Sequence, residues 1–70
     1  MKISARNVLK GKVKSLECGP ISSVVTLEIA PGVEITASIT TESARDLSLK
    51  QGQEAFAIIK ASNVMVGVDE

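Results

Sequence analysis

Apolar and polar residues alternate over most of this seventy-residue chain, and the alternation restricts its fold more than any other feature. Successive side chains of a β-strand point to opposite faces, so a period of two predicts strands that have one buried face. The pattern predicts strands over residues 7–16, 21–29 and 33–40, and short apolar runs predict two more over residues 54–60 and 64–68. The residues expected to face inward in the first three are Leu9, Gly11, Val13, Ser23, Val25, Leu27, Ile29, Val33, Ile35, Ala37 and Ile39.

Glycine and proline residues separate the predicted strands. Pro31-Gly32 predicts a type II hairpin turn, and Gly11 inside the first strand predicts a bulge or a bend. Thr41 is expected to cap a short helix that ends near Leu47. Five short strands with tight turns and one small helix predict an all-β fold: a small five-stranded antiparallel barrel, similar to an OB-fold, that forms a single domain over residues 1–70.

The sequence provides neither a disulfide nor a Cys/His zinc site to stabilise so small a core. Cys18 is the only cysteine and there is no histidine, which excludes an internal disulfide and a Cys/His zinc site. The predicted fourth strand is apolar on both faces, with Ala55 and Ala57 on one and Phe56 and Ile58 on the other. Because a domain of this size buries a limited share of its surface, we expect subunits to associate.

Composition also bounds the compartment and the chemistry. A single thiol fits a reducing compartment, and no apolar segment is long enough to cross a membrane, so we expect a cytoplasmic protein without a membrane partner. The absence of histidine removes the usual nucleophile–base pairs, and the carboxylates are scattered over turns and outward positions. We therefore predict that the chain is not an enzyme and carries no cofactor.

Two short motifs near opposite ends of the chain are rich in hydrogen-bond donors. They are Ser4-Ala5-Arg6-Asn7 and Lys60-Ala61-Ser62-Asn63. Arginine and lysine donate and cannot accept, serine and asparagine can donate, and alanine leaves the neighbouring N–H groups uncovered. Such a set suits a small anion that only accepts hydrogen bonds. Solvated strand ends are the alternative interpretation of the same residues.

The order of these residues resembles the molbindins, small proteins that bind molybdate and tungstate. Ser4-Ala5-Arg6-Asn7 is followed by Leu9-Lys10-Gly11-Lys12-Val13, and Gly52 leads through Ala55, Ala57 and Ile58 to the closing segment, residues 59–66. The same module occurs in molybdate-responsive regulators and in molybdate transporter ATPases. The resemblance extends from Lys2 to Val68.

The resemblance implies a cytoplasmic binding protein for molybdate or tungstate that serves intracellular molybdenum storage or homeostasis. It further implies a homohexamer, built as a trimer of dimers, with oxyanion sites at subunit interfaces. The residues that it assigns to the first site are Ser4, Ala5 and Arg6 of one chain and Lys60, Ala61 and Ser62 of another. A second, threefold-related site made mainly of backbone donors is expected near Gly19, Ile21 and Ser22.

An OB-like oligonucleotide-binding module is the alternative function. The predicted barrel suits it, and Lys10, Lys12 and Lys14 form a basic stripe on one strand. Such modules stack bases on aromatic side chains and follow the phosphates with a basic groove. Phe56 is the only aromatic residue and the formal net charge is zero, so we expect no nucleic-acid partner.

Overall fold

The computed structural model describes residues 1–69, which form four β-strands, one α-helix and one 3-10 turn. The strands are β1 (Asn7–Cys18), β2 (Ser22–Ala30), β3 (Val33–Thr40) and β4 (Glu54–Ile59). The helix α1 (Thr41–Asp46) lies between β3 and β4, and the 3-10 turn (Ala61–Asn63) follows β4. Only Glu70, the last residue of the predicted domain, lies outside the described residues.

The four strands form one antiparallel sheet in the order β3-β2-β1-β4, which curls into a half-barrel. The alternation places the predicted residues inside: Val13, Val25, Leu27 and Ala57 are buried together on the concave face. Ile29, Ile35, Ile39 and Ala55 pack against this core, whereas Leu9 and Val33, which were also expected to face inward, are exposed. The mostly β architecture is thus confirmed, and β3 and β4 remain as the two edges.

The predicted fifth strand over residues 64–68 is not confirmed. This segment pairs with no strand among residues 1–69, and Met65, Val66 and Val68 expose 95%, 90% and 84% of their surface. The 3-10 turn comes between β4 and this segment, and the chain does not return to either edge of the sheet. Alternation specifies which side chains share a face but not which strand lies alongside.

The structure refines the predicted bulge in β1 and agrees with the predicted turn between β2 and β3. The bulge in β1 falls between Val13 and Ser15, not at Gly11. Gly11 instead lies where the backbones of β1 and β2 approach closely, since a Cβ there would meet the Glu28 carbonyl oxygen at 2.5 Å. The hairpin between β2 and β3 has Gly32 at φ 77°, the value that the second central residue of a type II turn requires.

The helix begins one residue earlier than its predicted cap implies. Thr40, not Thr41, is the N-cap, and its side-chain oxygen accepts a hydrogen bond from the Ser43 N–H at 3.0 Å. Thr41 is the first helical residue, and its side chain is buried against β2. The two adjacent threonines therefore have separate roles, which their identical side chains do not reveal in the sequence.

Candidate functional site

The sheet brings the two donor-rich motifs to the same end of the half-barrel. Asn7 at the start of β1 pairs with Ile59 at the end of β4, and the Asn7 side-chain amide donates to the Ile59 carbonyl oxygen at 3.3 Å. Arg6 and Lys60 are the next residues outward from this pair. Two positively charged residues that are 54 positions apart in the sequence thus lie at the same end of the sheet.

At this end the 3-10 turn presents backbone N–H groups, while two of its carbonyl oxygens accept hydrogen bonds within the turn. The Lys60 carbonyl oxygen accepts from the Asn63 N–H at 2.9 Å, and the Ala61 carbonyl oxygen accepts from the Val64 N–H at 3.3 Å. The first N–H groups of such a turn have no partner within it. Ala61 and Ser62 therefore offer backbone donors next to the Lys60 ammonium group, as expected for an anion site.

The first candidate site is open in a single chain. Its residues Ser4, Arg6, Lys60, Ala61 and Ser62 are exposed, and Ala5 is half-buried. A cleft of about 340 Å³ occupies another part of the molecule, where residues of the concave face and of β4 line it. One chain therefore supplies donors and positive charge but no enclosing wall.

The second candidate site is the turn between β1 and β2. The Gly19 N–H donates to the Ser22 carbonyl oxygen at 2.9 Å, which closes the turn. A Cβ on Gly19 would lie 2.8 Å from that same oxygen, so the closure requires glycine. Ile21 is 77% exposed and Ser22 is exposed. With the Gly19 N–H committed, Ile21 and Ser22 remain as the candidate backbone donors of the predicted set.

Two polar residues support this turn, and the sequence did not predict that role for either of them. Ser23 and Thr41 are buried, their hydroxyl oxygens lie 2.8 Å apart, and the Thr41 hydroxyl donates to the Gly19 carbonyl oxygen at 2.7 Å. One signal was available: Ser23 occupies an inward position in a strand whose other inward residues are apolar. Its partner could not be found from the sequence, because Thr41 lies 18 residues away.

The lysine stripe on the outer face of β1 is balanced by carboxylates. Lys10 lies 3.2 Å from Glu54, and Lys14 donates to Glu34. This hydrogen bond is the main reason why the pKa of Lys14 is raised above its ordinary value of 10.5. Lys12 lies opposite Glu28 on one side and Glu54 on the other. Alternating charges of this kind do not form the basic groove that follows a phosphate backbone.

Residues 1–69 contain no cluster of three or more His, Cys, Asp or Glu side chains that could hold a metal ion. Among the same residues, no helix is long and apolar enough to span a membrane.

Comparison with known proteins defines the class to which this fold and these motifs belong. Residues 3–66 match the TOBE domain, and the chain is a member of that family. It is 50% identical to molybdenum-pterin-binding protein 1 of Clostridium pasteurianum, over 94% of this chain and 97% of the relative. Its relatives in the family thus include small proteins of almost the same length, named for binding rather than for catalysis.

Solved structures agree with this assignment. MopII from Clostridium pasteurianum superposes with a TM-score of 0.89 at 45% identity, over 96% of this chain and all of that one. The cytoplasmic molybdate-binding protein ModG, solved with molybdate bound, gives a TM-score of 0.92 at 48% identity, over 99% of this chain and 49% of ModG. The expected similarity to molybdate-binding proteins of the Mop type is confirmed.

Proposed function

We propose that this chain is a cytoplasmic binding protein for molybdate and tungstate that serves molybdenum storage or homeostasis. The observation that carries the proposal is the meeting of the two donor-rich motifs at one end of the half-barrel. Arg6 and Lys60 supply positive charge there. In the turn after β4, the Lys60 and Ala61 carbonyl oxygens accept hydrogen bonds within the turn. The binding functions of the relatives and of ModG support the same ligand class.

The first site takes a tetrahedral dianion as its ligand. Hydroxyls of Ser4 and Ser62, the Arg6 and Lys60 cations and the N–H groups near Ala5 and Ala61 surround its oxygens with charge-assisted hydrogen bonds. Because these groups are exposed in one chain, the site is completed between subunits, with Ser4, Ala5 and Arg6 from one chain and Lys60, Ala61 and Ser62 from its neighbour. The Ile21 and Ser22 amides form the second, smaller set of donors.

The number of protons that the anion carries distinguishes molybdate from phosphate. Near neutral pH phosphate carries one or two protons, whereas molybdate, tungstate and sulfate carry none. Neither motif contains a carboxylate to accept that proton, so bound phosphate leaves two donors facing each other. An unsatisfied buried partner costs roughly 1–3 kcal/mol. Sulfate, with shorter bonds, is excluded by size, and molybdate and tungstate, which are nearly equal in size, bind alike.

The assembly that completes the site is a homohexamer, a trimer of dimers. Two exposed apolar regions support association. The cleft of about 340 Å³ opens between the edge strands and is lined by residues such as Leu27, Ile39 and Ala55. The extended residues 64–68 project apolar side chains that have no cover in one chain. Surfaces of this kind are typical of subunit interfaces.

Titration calorimetry with molybdate, tungstate, sulfate and phosphate tests the proposal. Molybdate and tungstate should bind with similar affinity, and phosphate and sulfate much more weakly. Lys60→Ala should weaken molybdate binding at the first site about tenfold to a hundredfold, since it removes a charged donor from a dianion.

Lys50→Ala is the matched control, because Lys50 is also exposed but precedes β4, at the opposite end of that strand from Lys60. It should leave the affinity unchanged. Phosphate binding as tight as molybdate binding, or a Lys60→Ala variant with wild-type molybdate affinity, would show that the proposed first site is wrong.

A further inference from the structure

A buried pair of hydroxyl groups lies directly beneath the turn between β1 and β2. Ser23 is completely buried and Thr41 is 8% exposed, among apolar residues of the concave face. The Thr41 hydroxyl donates its single hydrogen to the Gly19 carbonyl oxygen at 2.7 Å. The 2.8 Å contact between the two hydroxyls is therefore donated by Ser23 to Thr41. A directed chain runs from Ser23 through Thr41 to Gly19.

Thr41 also holds the turn through its backbone. Its N–H donates to the Ile21 carbonyl oxygen at 2.7 Å. One residue at the start of α1 thus engages the carbonyl oxygens of both Gly19 and Ile21, through two different groups. The Ser22 carbonyl oxygen is engaged as well, by the Gly19 N–H at 2.9 Å. Three carbonyl oxygens of this turn are consequently satisfied inside the protein.

The direction of these carbonyl groups determines whether the turn presents N–H groups or carbonyl oxygens to a ligand. In a planar trans peptide the C=O and N–H groups point in opposite directions. Because the Ile21 carbonyl oxygen points to Thr41, the N–H of Ser22 in the same peptide points away from the helix. An anion is repelled by carbonyl oxygens and attracted by N–H groups. A rotation of the Ile21–Ser22 peptide would reverse that preference.

We propose that Ser23 and Thr41 are positioning residues for the oxyanion site at this turn. The Thr41 hydroxyl, oriented by Ser23, holds the Gly19 carbonyl oxygen away from the ligand, and the Thr41 backbone N–H holds the Ile21 carbonyl oxygen. Because Pro20 has no N–H, the turn then presents the Ser22 N–H to a tetrahedral oxyanion, with both carbonyl oxygens turned away. The inference rests on the proposed function and deepens it. An apolar pair would fill the same space between β2 and α1, but it could not bind the Gly19 carbonyl oxygen.

Amide hydrogen exchange tests the positioning without any ligand. Thr41→Val keeps the backbone N–H and nearly the same shape but removes the hydroxyl. The Gly19 N–H, which donates to the Ser22 carbonyl oxygen, should exchange about tenfold faster in this variant, because the turn that protects it loses the hydrogen bond to the Gly19 carbonyl oxygen. The amides of the β2–β3 hairpin, residues 30–33, should be unchanged. Thr41→Ser, which retains the hydroxyl, should exchange like the wild type.

Calorimetry with molybdate tests the consequence for binding. The wild type should show two classes of site: the turn class, at the turn between β1 and β2, and the class that depends on Lys60. Thr41→Val and Ser23→Ala should weaken the turn class by about tenfold or more, leave the class that depends on Lys60 unchanged, and preserve the assembly mass. Thr41→Ser should restore the turn class. If Thr41→Val fails to assemble, Ser23→Ala, which removes only the orienting donor, decides the question.

The outcomes separate this inference from the proposed function. A wild type that binds no molybdate overturns both. A single class of site that Lys60→Ala weakens leaves the proposed function standing and overturns the inference. The inference is also overturned if the hydroxyl variants keep the turn class at wild-type affinity, or if they weaken both classes equally, since equal weakening indicates a purely structural role.

Discussion

At the scale of single residues, close approach between backbones determines which side chains β1 can carry. Gly11 faces the concave side of β1 beside the Glu28 carbonyl group. A methyl group there would lie 2.5 Å from the Glu28 oxygen and 2.9 Å from the Ile29 side chain. The first of these neighbours is backbone and cannot rotate away. Gly11 is therefore required for β1 and β2 to pair at this position.

We expect Gly11→Ala to lower the free energy of unfolding by about 1–3 kcal/mol, because the added methyl group overpacks the β1–β2 contact. Urea denaturation at fixed protein concentration measures the change. Ser15→Ala, an exposed position in the same strand, serves as the control and should change stability by less than about 0.5 kcal/mol. Equal midpoints for the wild type and Gly11→Ala would contradict the close approach.

At the scale of elements, α1 is too short to be stable by itself and depends on its ends. Thr40 caps its start. At the other end the Leu49 N–H donates to the Ala44 carbonyl oxygen at 3.1 Å, and the Ser48 N–H donates to the Arg45 carbonyl oxygen at 3.0 Å. This closure places Ser48 at φ 52°, a left-handed conformation that glycine adopts at much lower cost.

Ser48→Gly should therefore stabilise the protein by about 0.5–1 kcal/mol, the relief of left-handed strain less the greater entropy of glycine in the unfolded chain. Ser43→Gly provides the control, because the same replacement inside α1 should destabilise by up to about 1 kcal/mol. Thermal melting at one protein concentration compares the two variants. Melting temperatures that move in the same direction would contradict this account of the helix end.

At the scale of the whole molecule, one chain leaves much apolar surface in water. Val8, Phe56 and Ile58 form a patch on the convex face of β1 and β4, where Val8 pairs with Ile58. The chain contains no disulfide, since its single cysteine is free. A small domain with this much exposed apolar surface gains stability by association.

We expect light scattering at low micromolar concentration to give the mass of a hexamer and no folded monomer. Ile58→Glu should weaken assembly or folding, because it places a charge within the apolar patch of β1 and β4. Val33→Glu, at an exposed apolar position on the β2–β3 hairpin, is the matched control and should keep the wild-type mass. A stable folded monomer of the wild type would contradict both the assembly and the shared first site.

The sequence by itself determined four of the five predicted strands, the concave face that contains Val25, Leu27 and Ala57, and the turn at Pro31 and Gly32. It also identified the two donor-rich motifs. These features follow from local periodicity and from the conformations that single residues allow. The resemblance to molybdate-binding proteins was visible for the same reason, because its motifs are short and contiguous.

Only the tertiary structure decided which distant residues meet. The pairing of β1 with β4 brings the Arg6 and Lys60 motifs to one end of the sheet, and the packing of α1 on β2 joins Thr41 to Ser23 and Gly19. The structure also left residues 64–68 without a strand partner, although their valine-rich composition favours a strand. Strand partners and buried hydrogen bonds depend on register and on available sheet edges, which local sequence patterns do not specify.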